Sequence, residues 1–238
     1  MPGIGVAVSP CFGQRAGAAA FTPADLGAKL DFWLVATDAD VARSGSDVTT
    51  WSSLGGGGGN ATAVATKAPT YNATGWSDGS PTVDFVNVPG SALELALLSP
   101  AGDDHWSAGV MNVTSGATSQ GFYSPFGAIL YSPNRAGFVG FFDGGWRLST
   151  LSASTGEQAL IWIHDSSVPG ATAYKNGTAS GAVYGGTAAG AAINPTIGAR
   201  AVDQNGEYLG ARVKVAMGGQ GILTASEIAN LVAYLGSF

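Results

Sequence analysis

The fold is decided by the stretch Leu209-Gly210-Ala211-Arg212-Val213-Lys214-Val215-Ala216-Met217, in which apolar residues alternate with small or charged ones. A period of two is typical of a half-buried strand, because successive side chains of a strand point to opposite faces. The predicted apolar face consists of Leu209, Val213, Val215 and Met217. The predicted opposite face consists of Gly210, Arg212 and Lys214. This stretch therefore predicts a strand with one face in the core.

A tight turn precedes this strand and a short helix follows it. Tyr174-Lys175-Asn176-Gly177-Thr178 predicts a hairpin, because Asn and Gly can both adopt a positive φ in a two-residue turn. Thr224-Ala225-Ser226-Glu227 fits a capping box at a helix N-terminus. The apolar stripe predicted for this helix consists of Ile228, Leu231, Val232 and Leu235.

The composition favours strands over helices. Glycine contributes 37 of the 238 residues, and only 11% of the residues are charged. Glycine in a helix interior costs about 1 kcal/mol, whereas it suits turns between short strands. Roughly a dozen strand-like segments follow one another, and the segment 159–163 is apolar on both faces, as in a central strand. We predict an all-β fold, a two-sheet antiparallel jelly-roll sandwich with one short C-terminal helix, over residues 21–238.

Motifs in both halves of the chain resemble one known superfamily. Those of the first half are Phe21-Thr22-Pro23, Trp51, Pro69-Thr70-Tyr71 and Pro81-Thr82-Val83-Asp84-Phe85. Those of the second half are Tyr174-Lys175-Asn176-Gly177, Ile197-Gly198, Tyr208-Leu209-Gly210 and the helix that begins after Leu223. Through these residues the chain resembles the concanavalin A-like lectin/glucanase superfamily in its laminin-G-like form. It departs at Trp33-Leu34-Val35-Ala36-Thr37-Asp38, where members often read Trp-Leu-Asp-Ala-Ser-Asp.

Such domains behind a short Gly-rich N-terminus resemble those on virion proteins of tailed bacteriophages. The resemblance implies a non-enzymatic virion surface protein, a capsid decoration or tail component whose lectin-like sandwich binds cell-surface or environmental glycans. Two alternatives are a free carbohydrate-binding module and a divergent glycoside hydrolase or polysaccharide lyase. The implied location is the virion surface, or otherwise the extracellular space, and the implied state is a homo-oligomer or a multivalent assembly.

Residues 1–20 are rich in glycine and alanine and are predicted to form a flexible N-terminal arm. One interpretation is a tail that lies on the surface. The other is an attachment arm to neighbouring virion subunits, in which Ile4, Val6 and Val8 add a strand to a sheet edge. The first residues lack the basic and apolar regions of a signal peptide, which predicts release by lysis or another route, or retention inside the cell.

Charge and hydropathy exclude two classes of partner. The formal net charge is −6, and the ten Lys and Arg residues are scattered, so no basic stripe is present for nucleic acid. No apolar run reaches the ~18 residues expected of a membrane span. Cys11 is the single cysteine, so the chain cannot form an internal disulfide.

Acidic pairs suited to glycoside hydrolysis are missing from the sequence. Glycosidases of the superfamily carry Glu-x-Asp-x-Glu on one strand, where alternation brings the carboxylates to one face. No acidic residue stands two positions from any glutamate of this chain, namely Glu94, Glu157, Glu207 and Glu227. We therefore predict no catalytic residues. His105 and His164, the only histidines, are predicted to lie on the surface at strand ends.

Two kinds of ligand site are predicted. The first is a calcium site, because oxygen ligands lie close together in one loop at Asp203, Asn205 and Glu207. Such residues also stabilise turns, which is the alternative interpretation. No other cofactor is predicted. Carbohydrate binding uses aromatic platforms with amides or carboxylates nearby. The predicted glycan-binding residues are Trp146, Asp143, Tyr123, Tyr131, Asn134 and Trp76. Apolar strand context assigns to the core Trp106, Phe141, Phe142 and Trp162.

Overall fold

The computed structural model describes residues 20–55, 59–64, 68–95, 104–117, 120–126, 129–143, 146–165, 170–180, 194–199 and 207–238. A 3₁₀ segment spans Pro23–Lys29, and α1, the one α-helix among the described residues, spans Ala225–Leu235. The strands are β1 Phe32–Val35, β2 Val41–Ser44, β3 Asp47–Trp51, β4 Ala61–Ala63, β5 Thr70–Asn72, β6 Thr82–Phe85, β7 Leu93–Leu95, β8 His105–Val113, β9 Tyr123–Phe126, β10 Ile129–Arg135, β11 Phe138–Asp143, β12 Trp146–Ser152, β13 Gly156–Asp165, β14 Gly170–Lys175, β15 Thr178–Ala179, β16 Thr196–Ile197 and β17 Ala211–Gln220.

The strands pair antiparallel and form two runs. The first strand run has the order β5-β6-β17-β8-β13-β14-β15, with β1 beside the second half of β17. The second strand run has the order β2-β3-β4-β7-β16-β9-β10-β11-β12. The residue pair Asp47–Thr70 connects β3 to β5 and so joins the runs. The result confirms an all-β, sandwich-like fold with one short C-terminal helix.

The main hydrophobic core contains side chains from both strand runs. The first run contributes Phe32, Leu34, Leu160, Trp162 and Val213. The second run contributes Val48, Trp51, Leu93, Leu95, Tyr123, Tyr131 and Phe141. Burying one large apolar side chain contributes roughly 1.5–3 kcal/mol relative to leaving it exposed, so this layer is the main source of stability.

The outer face of the first run is covered as well. A second apolar cluster joins that face to the 3₁₀ segment, to α1 and to the loop that carries Trp76. Its members include Leu26, Leu30, Trp76, Trp106, Val110, Ile161, Met217 and Leu231. On β13, Trp162 faces the main core whereas Ile161 and Ile163 face this outer cluster. The prediction that segment 159–163 is a central strand is confirmed.

A bulge in β17 changes which face its side chains occupy. Val213 and Val215 pair with adjacent residues of β8, Met111 and Val110, so Lys214 is an extra residue in the ladder. Val213 therefore lies in the main core, whereas Val215 lies in the outer cluster. The prediction of a single apolar face, made from Leu209, Val213, Val215 and Met217, is wrong because it assumes unbroken alternation. Both faces are buried, and Lys214 itself is only 7% exposed.

The local signals around β17 are confirmed. Asn176 and Gly177 have φ values of 49° and 80° and connect β14 to β15 as a tight turn. The Thr224 side chain accepts a hydrogen bond from the Glu227 amide, and the Glu227 carboxylate accepts one from the Thr224 amide. Lys29 also donates to both Glu227 oxygens, at 3.0 and 2.8 Å, which ties α1 to the 3₁₀ segment. Among the described helices, none is long and apolar enough to cross a membrane.

Replacing the helix cap is expected to destabilise the fold measurably. Thr224→Ala removes the side-chain acceptor for the Glu227 amide, and loss of such a cap costs about 1 kcal/mol. Asn230→Ala, on the exposed face of the same helix, is the control and is expected to leave stability unchanged or slightly higher. Urea unfolding measures both variants. Equal midpoints for Thr224→Ala and the parent protein would contradict the capping account.

Candidate functional site

Two predicted platform tyrosines are core residues. Tyr123 and Tyr131 are 3% and 0% exposed and stack with ring centroids 6.2 Å apart. Tyr123 also packs on Phe32, at 5.1 Å, because β9 and β10 turn these side chains towards the first strand run. The Tyr131 hydroxyl donates to the backbone carbonyl of His105, at 3.3 Å. Neither ring can stack against a glycan, so both assignments are wrong.

Trp76 is buried under its own loop rather than exposed on it. Its side chain is 6% exposed and belongs to the outer cluster of the first run. The Lys214 ammonium lies 5.3 Å from the Trp76 ring centroid and 2.9 Å from the Asp78 carboxylate. Hydrogen bonds from Ser80 and then Lys214 lower the pKa of the Asp78 carboxyl to about 2. Lys214, the extra residue of the bulge, thus holds this loop on the sheet. Because the Trp76 ring is buried, its assignment to glycan binding is wrong.

Asn134 has a turn-forming role. It is 8% exposed, and its side-chain oxygen accepts a hydrogen bond from the amide of Gly137, at 3.2 Å. Ala136 and Gly137 have φ values of 51° and 88°, so this contact stabilises the turn between β10 and β11. Asn134 therefore does not belong to a glycan platform.

The other two predicted glycan-binding residues lie at the far end of the next hairpin. Asp143 ends β11 and Trp146 begins β12, and the register places Trp146 opposite Phe142. Side chains of directly opposed residues share one face of a sheet. Phe141 is 2% exposed and lies in the main core, so its neighbour Phe142 belongs to the other face, whereas the side chains of Asp143 and Trp146 lie outside the described ones. The assignment of Phe142 to the core is therefore wrong.

Exposed apolar side chains accumulate on this outer face of β11 and β12. Phe138 is 38% exposed and Leu148 is 40% exposed. Leu148 lies opposite Gly140, which separates Phe138 from Phe142 along β11. We name this surface the β11–β12 patch, and its described members are Phe138, Gly140, Phe142 and Leu148. Sequence reasoning missed Phe138 and Leu148, although alternation from the core residue Phe141 could have placed Phe138.

Polar residues flank the β11–β12 patch in register. Phe138 lies opposite Arg135 of β10 on one side and opposite Ser152 of β12 on the other. Ser152 is exposed and Arg135 is half-buried. A guanidinium, an aromatic ring and a hydroxyl therefore follow one another across three strands.

The predicted metal site and arm fall mainly outside the described residues. Asp203 and Asn205 lie outside them, and Glu207 is half-buried just before β17. Within the described part of the chain, no three His, Cys, Asp or Glu side chains converge as metal ligands. Ile4, Val6 and Val8 also lie outside the described residues, so the calcium site and the arm stay predictions.

The two histidines form a buried stacked pair. His105 and His164 are 2% and 3% exposed, and their rings are 5.6 Å apart and nearly parallel, at 6°. They are opposed residues of β8 and β13, and Phe141 of the second run covers His164 at 6.1 Å. Burial, followed by the proximity of His164, lowers the pKa of His105 to about 4, against the opposing effect of Asp104. The prediction of surface histidines is wrong because the second strand run covers this end of the sheet.

Comparison with known proteins shows the fold alone. No protein-family profile matches the sequence, and no curated protein sequence matches it. Domain 4 of AbnA, a GH43 extracellular arabinanase from Geobacillus stearothermophilus solved with arabinotriose, is similar with a TM-score of 0.58 and 16% identity. That match covers 86% of this chain and 98% of the domain. Trypanosoma rangeli sialidase, in complex with 2,3-difluorosialic acid, matches with a TM-score of 0.52 and 14% identity, over 91% of this chain. The chain spans only 34% of the sialidase.

Acidification is expected to destabilise the protein through His105. Its pKa is near 4 when folded and 6.5 when free, so the unfolded chain binds more protons between these values. The stabilisation is therefore complete above pH 6.5 and is lost as the pH falls towards 4. Between pH 7 and pH 5 the free energy of unfolding should fall by about 2 kcal/mol from this group alone.

Denaturant unfolding at the two pH values tests this expectation. His105→Phe keeps a ring in the stack and removes the proton-binding site, so the variant should lose about 2 kcal/mol less than the parent protein between pH 7 and pH 5. An equal loss in both proteins would show that His105 titrates normally in the folded state.

Proposed function

We propose that this chain is a non-enzymatic carbohydrate-binding domain with a concanavalin A-like jelly-roll sandwich, and that the β11–β12 patch binds the glycan. The observation that carries the proposal is the outward, partly exposed position of Phe138 and Leu148, in register with Phe142 and Trp146. The outer face of the first run is covered by α1 and the 3₁₀ segment, whereas this face carries exposed apolar side chains.

The chemistry of the patch suits a sugar ring. Aromatic rings offer an apolar surface to the C–H face of a sugar, and nearby polar groups bind its hydroxyls. Phe138 has this surface, with Arg135 and Ser152 opposite it on the two neighbouring strands. Gly140 allows the close approach of β11 and β12 at the centre of the patch, because a Cβ there would lie 2.8 Å from the backbone oxygen of Arg147.

A glycan ligand also agrees with the structural comparison. Domain 4 of the arabinanase was solved with arabinotriose, and this chain matches nearly the whole of that domain, 98%. The identity of 16% leaves the glycan to be determined by experiment.

Three of the described glutamates support the non-enzymatic part of the proposal, because each has a structural partner. Glu157 accepts hydrogen bonds from the Ser77 amide and hydroxyl, at 3.0 and 2.8 Å. Glu227 caps α1 and binds Lys29, and Glu94 accepts a hydrogen bond from the Asn194 amide group. Glu94 belongs to the second strand run, whereas Glu157 belongs to the first. These contacts give the three glutamates structural roles, which agrees with a binding domain.

The proposed setting is the surface of a bacteriophage virion, as a capsid decoration or tail component. The proposed partners there are other virion subunits, contacted through Ile4, Val6 and Val8, in a homo-oligomeric or multivalent assembly. This part of the proposal rests on the sequence resemblance alone.

Substitution of the patch is expected to weaken glycan binding. The full chain is first screened on an array of plant, bacterial and sialylated glycans that includes arabinotriose, and the tightest ligand is then used in calorimetry. Phe138→Ala removes an apolar contact surface, and Trp146→Ala removes the aromatic ring that the sequence assigns to the site. For each variant we expect the Kd to rise about tenfold or more, or about 1.4 kcal/mol.

Ile222→Ala is the matched control, because Ile222 is 41% exposed but lies outside the patch, just after β17. It should bind the glycan with an unchanged Kd. Binding that survives both patch substitutions would place the site elsewhere. The absence of binding to every glycan on the array would overturn the proposed function.

A further inference from the structure

An arginine side chain lies on the same face of the sheet as the β11–β12 patch. Arg135 ends β10 and is directly opposite Phe138, the first residue of β11, so the two side chains share one face. A Cβ added to Gly140 would lie 3.6 Å from the Cβ of Arg135 and 3.4 Å from Cδ2 of Leu148. The Arg135 side chain therefore begins beside the centre of the patch.

The strands that form the patch carry a positive charge in a chain that is acidic as a whole. Residues 121–156 contain two arginines, Arg135 and Arg147, and one acidic residue, Asp143, whereas the formal net charge of the chain is −6. Asp143 ends β11, five residues beyond Phe138, which is about 17 Å along the strand from the position opposite Arg135. The acidic residue of these strands is thus at the far end from Arg135.

A second cation lies on the other side of Phe138. Ser152 of β12 is opposite Phe138, and its backbone oxygen accepts a hydrogen bond from the Lys175 ammonium, at 2.8 Å. The same ammonium donates to the Ser154 hydroxyl, at 2.7 Å. The exposed ring of Phe138 therefore lies between a guanidinium on β10 and an ammonium beside β12.

We propose that the β11–β12 patch selects glycans that carry a carboxylate, such as uronic or sialic acids, and that Arg135 binds the carboxylate. This inference rests on the proposed function, because it assigns the ligand class of the same site. A guanidinium presents five N–H donors in a fork that matches the two oxygens of a carboxylate. Arg135 can therefore keep a contact within the protein and still bind the ligand.

The apolar neighbours of Arg135 strengthen the preference for an acid over a neutral sugar. An acidic sugar has an apolar C–H face and a carboxylate at its edge, so its ring can lie on Phe138 while the carboxylate contacts Arg135. Arg135 is half-buried, and an ion pair formed there is screened less by salt than a pair in open solvent. A neutral sugar keeps the ring contact but offers the guanidinium only uncharged acceptors, whose hydrogen bonds are weaker.

Ligand pairs that differ only at the carboxylate test this selection with the full chain. Trigalacturonic acid and 3′-sialyllactose are each compared with the corresponding methyl ester by calorimetry, and arabinotriose serves as a neutral glycan. We expect at least one of the two acids to bind about tenfold or more tightly than its ester, since the ester keeps the sugar ring but loses the charge. The Kd of this acid should also rise with salt concentration.

Substitution of Arg135 tests whether this residue carries the selection. For the acid that binds, Arg135→Gln should raise the Kd about tenfold or more, and Arg135→Lys, which keeps the charge but loses the fork, should raise it less. The Kd of the ester should stay unchanged in both variants. Arg43→Gln is the matched control, because Arg43 lies on β2 at the other end of the second strand run, with its guanidinium 4.2 Å from the Tyr71 ring centroid. This control should leave the Kd of the acid unchanged.

Several results would overturn the proposal while glycan binding itself stands. They are binding of neutral glycans without binding of either acid, equal Kd values for acid and ester, and an acid Kd that Arg135→Gln leaves unchanged or that Arg43→Gln raises equally. The absence of binding to any glycan would instead overturn the proposed function, and this inference with it. Urea unfolding midpoints of the three variants establish that each remains folded.

Discussion

The structure depends on the need to cover both faces of three long strands. β8, β13 and β17 carry large apolar side chains on each side, such as Trp162 towards the main core and Ile161 towards the outer cluster. If either face were exposed, several large apolar side chains would no longer be buried, and each would cost roughly 1.5–3 kcal/mol of stability. The second strand run covers one face, and α1 with the 3₁₀ segment covers the other. The Lys214 bulge adjusts this arrangement, because it sends Val213 and Val215 to opposite layers.

The same constraint separates the two surfaces that are available for binding. Helix and loop cover much of the outer face of the first run, and among the described residues an apolar groove beside Val232 remains open there. The second run has no helix packed on its β11–β12 end in the described part of the chain, and Phe138 and Leu148 are exposed there. Glycan binding is therefore assigned to the side of the sandwich that α1 does not cover.

Features set by local sequence could be predicted, whereas features set by pairing across the sheet could not. The Asn176-Gly177 turn and the Thr224–Glu227 capping box are local, and both were found from residue type and spacing. The switch of side-chain faces at Lys214 depends on how β17 pairs with β8, and the period of the sequence cannot reveal that pairing. For the same reason, the sequence wrongly predicts surface positions for His105 and His164. Their stacking follows from opposed positions on β8 and β13, and the two residues are 59 positions apart in sequence. Short strands such as β15 and β16, each of two residues, also lack a readable period.

The candidate site shows the same division, since the aromatic residues of β11 could be recognised from sequence, but the structure was needed to show that Phe141 and not Phe142 faces the core. The most direct test of the central claim is amide chemical-shift mapping of the full ¹⁵N-labelled chain, titrated with the glycan that binds it most tightly. The account predicts that the largest shifts occur at residues 138–142 and 146–152. Shifts confined to the groove beside α1 or to the histidine pair, with none in β11 and β12, would contradict it.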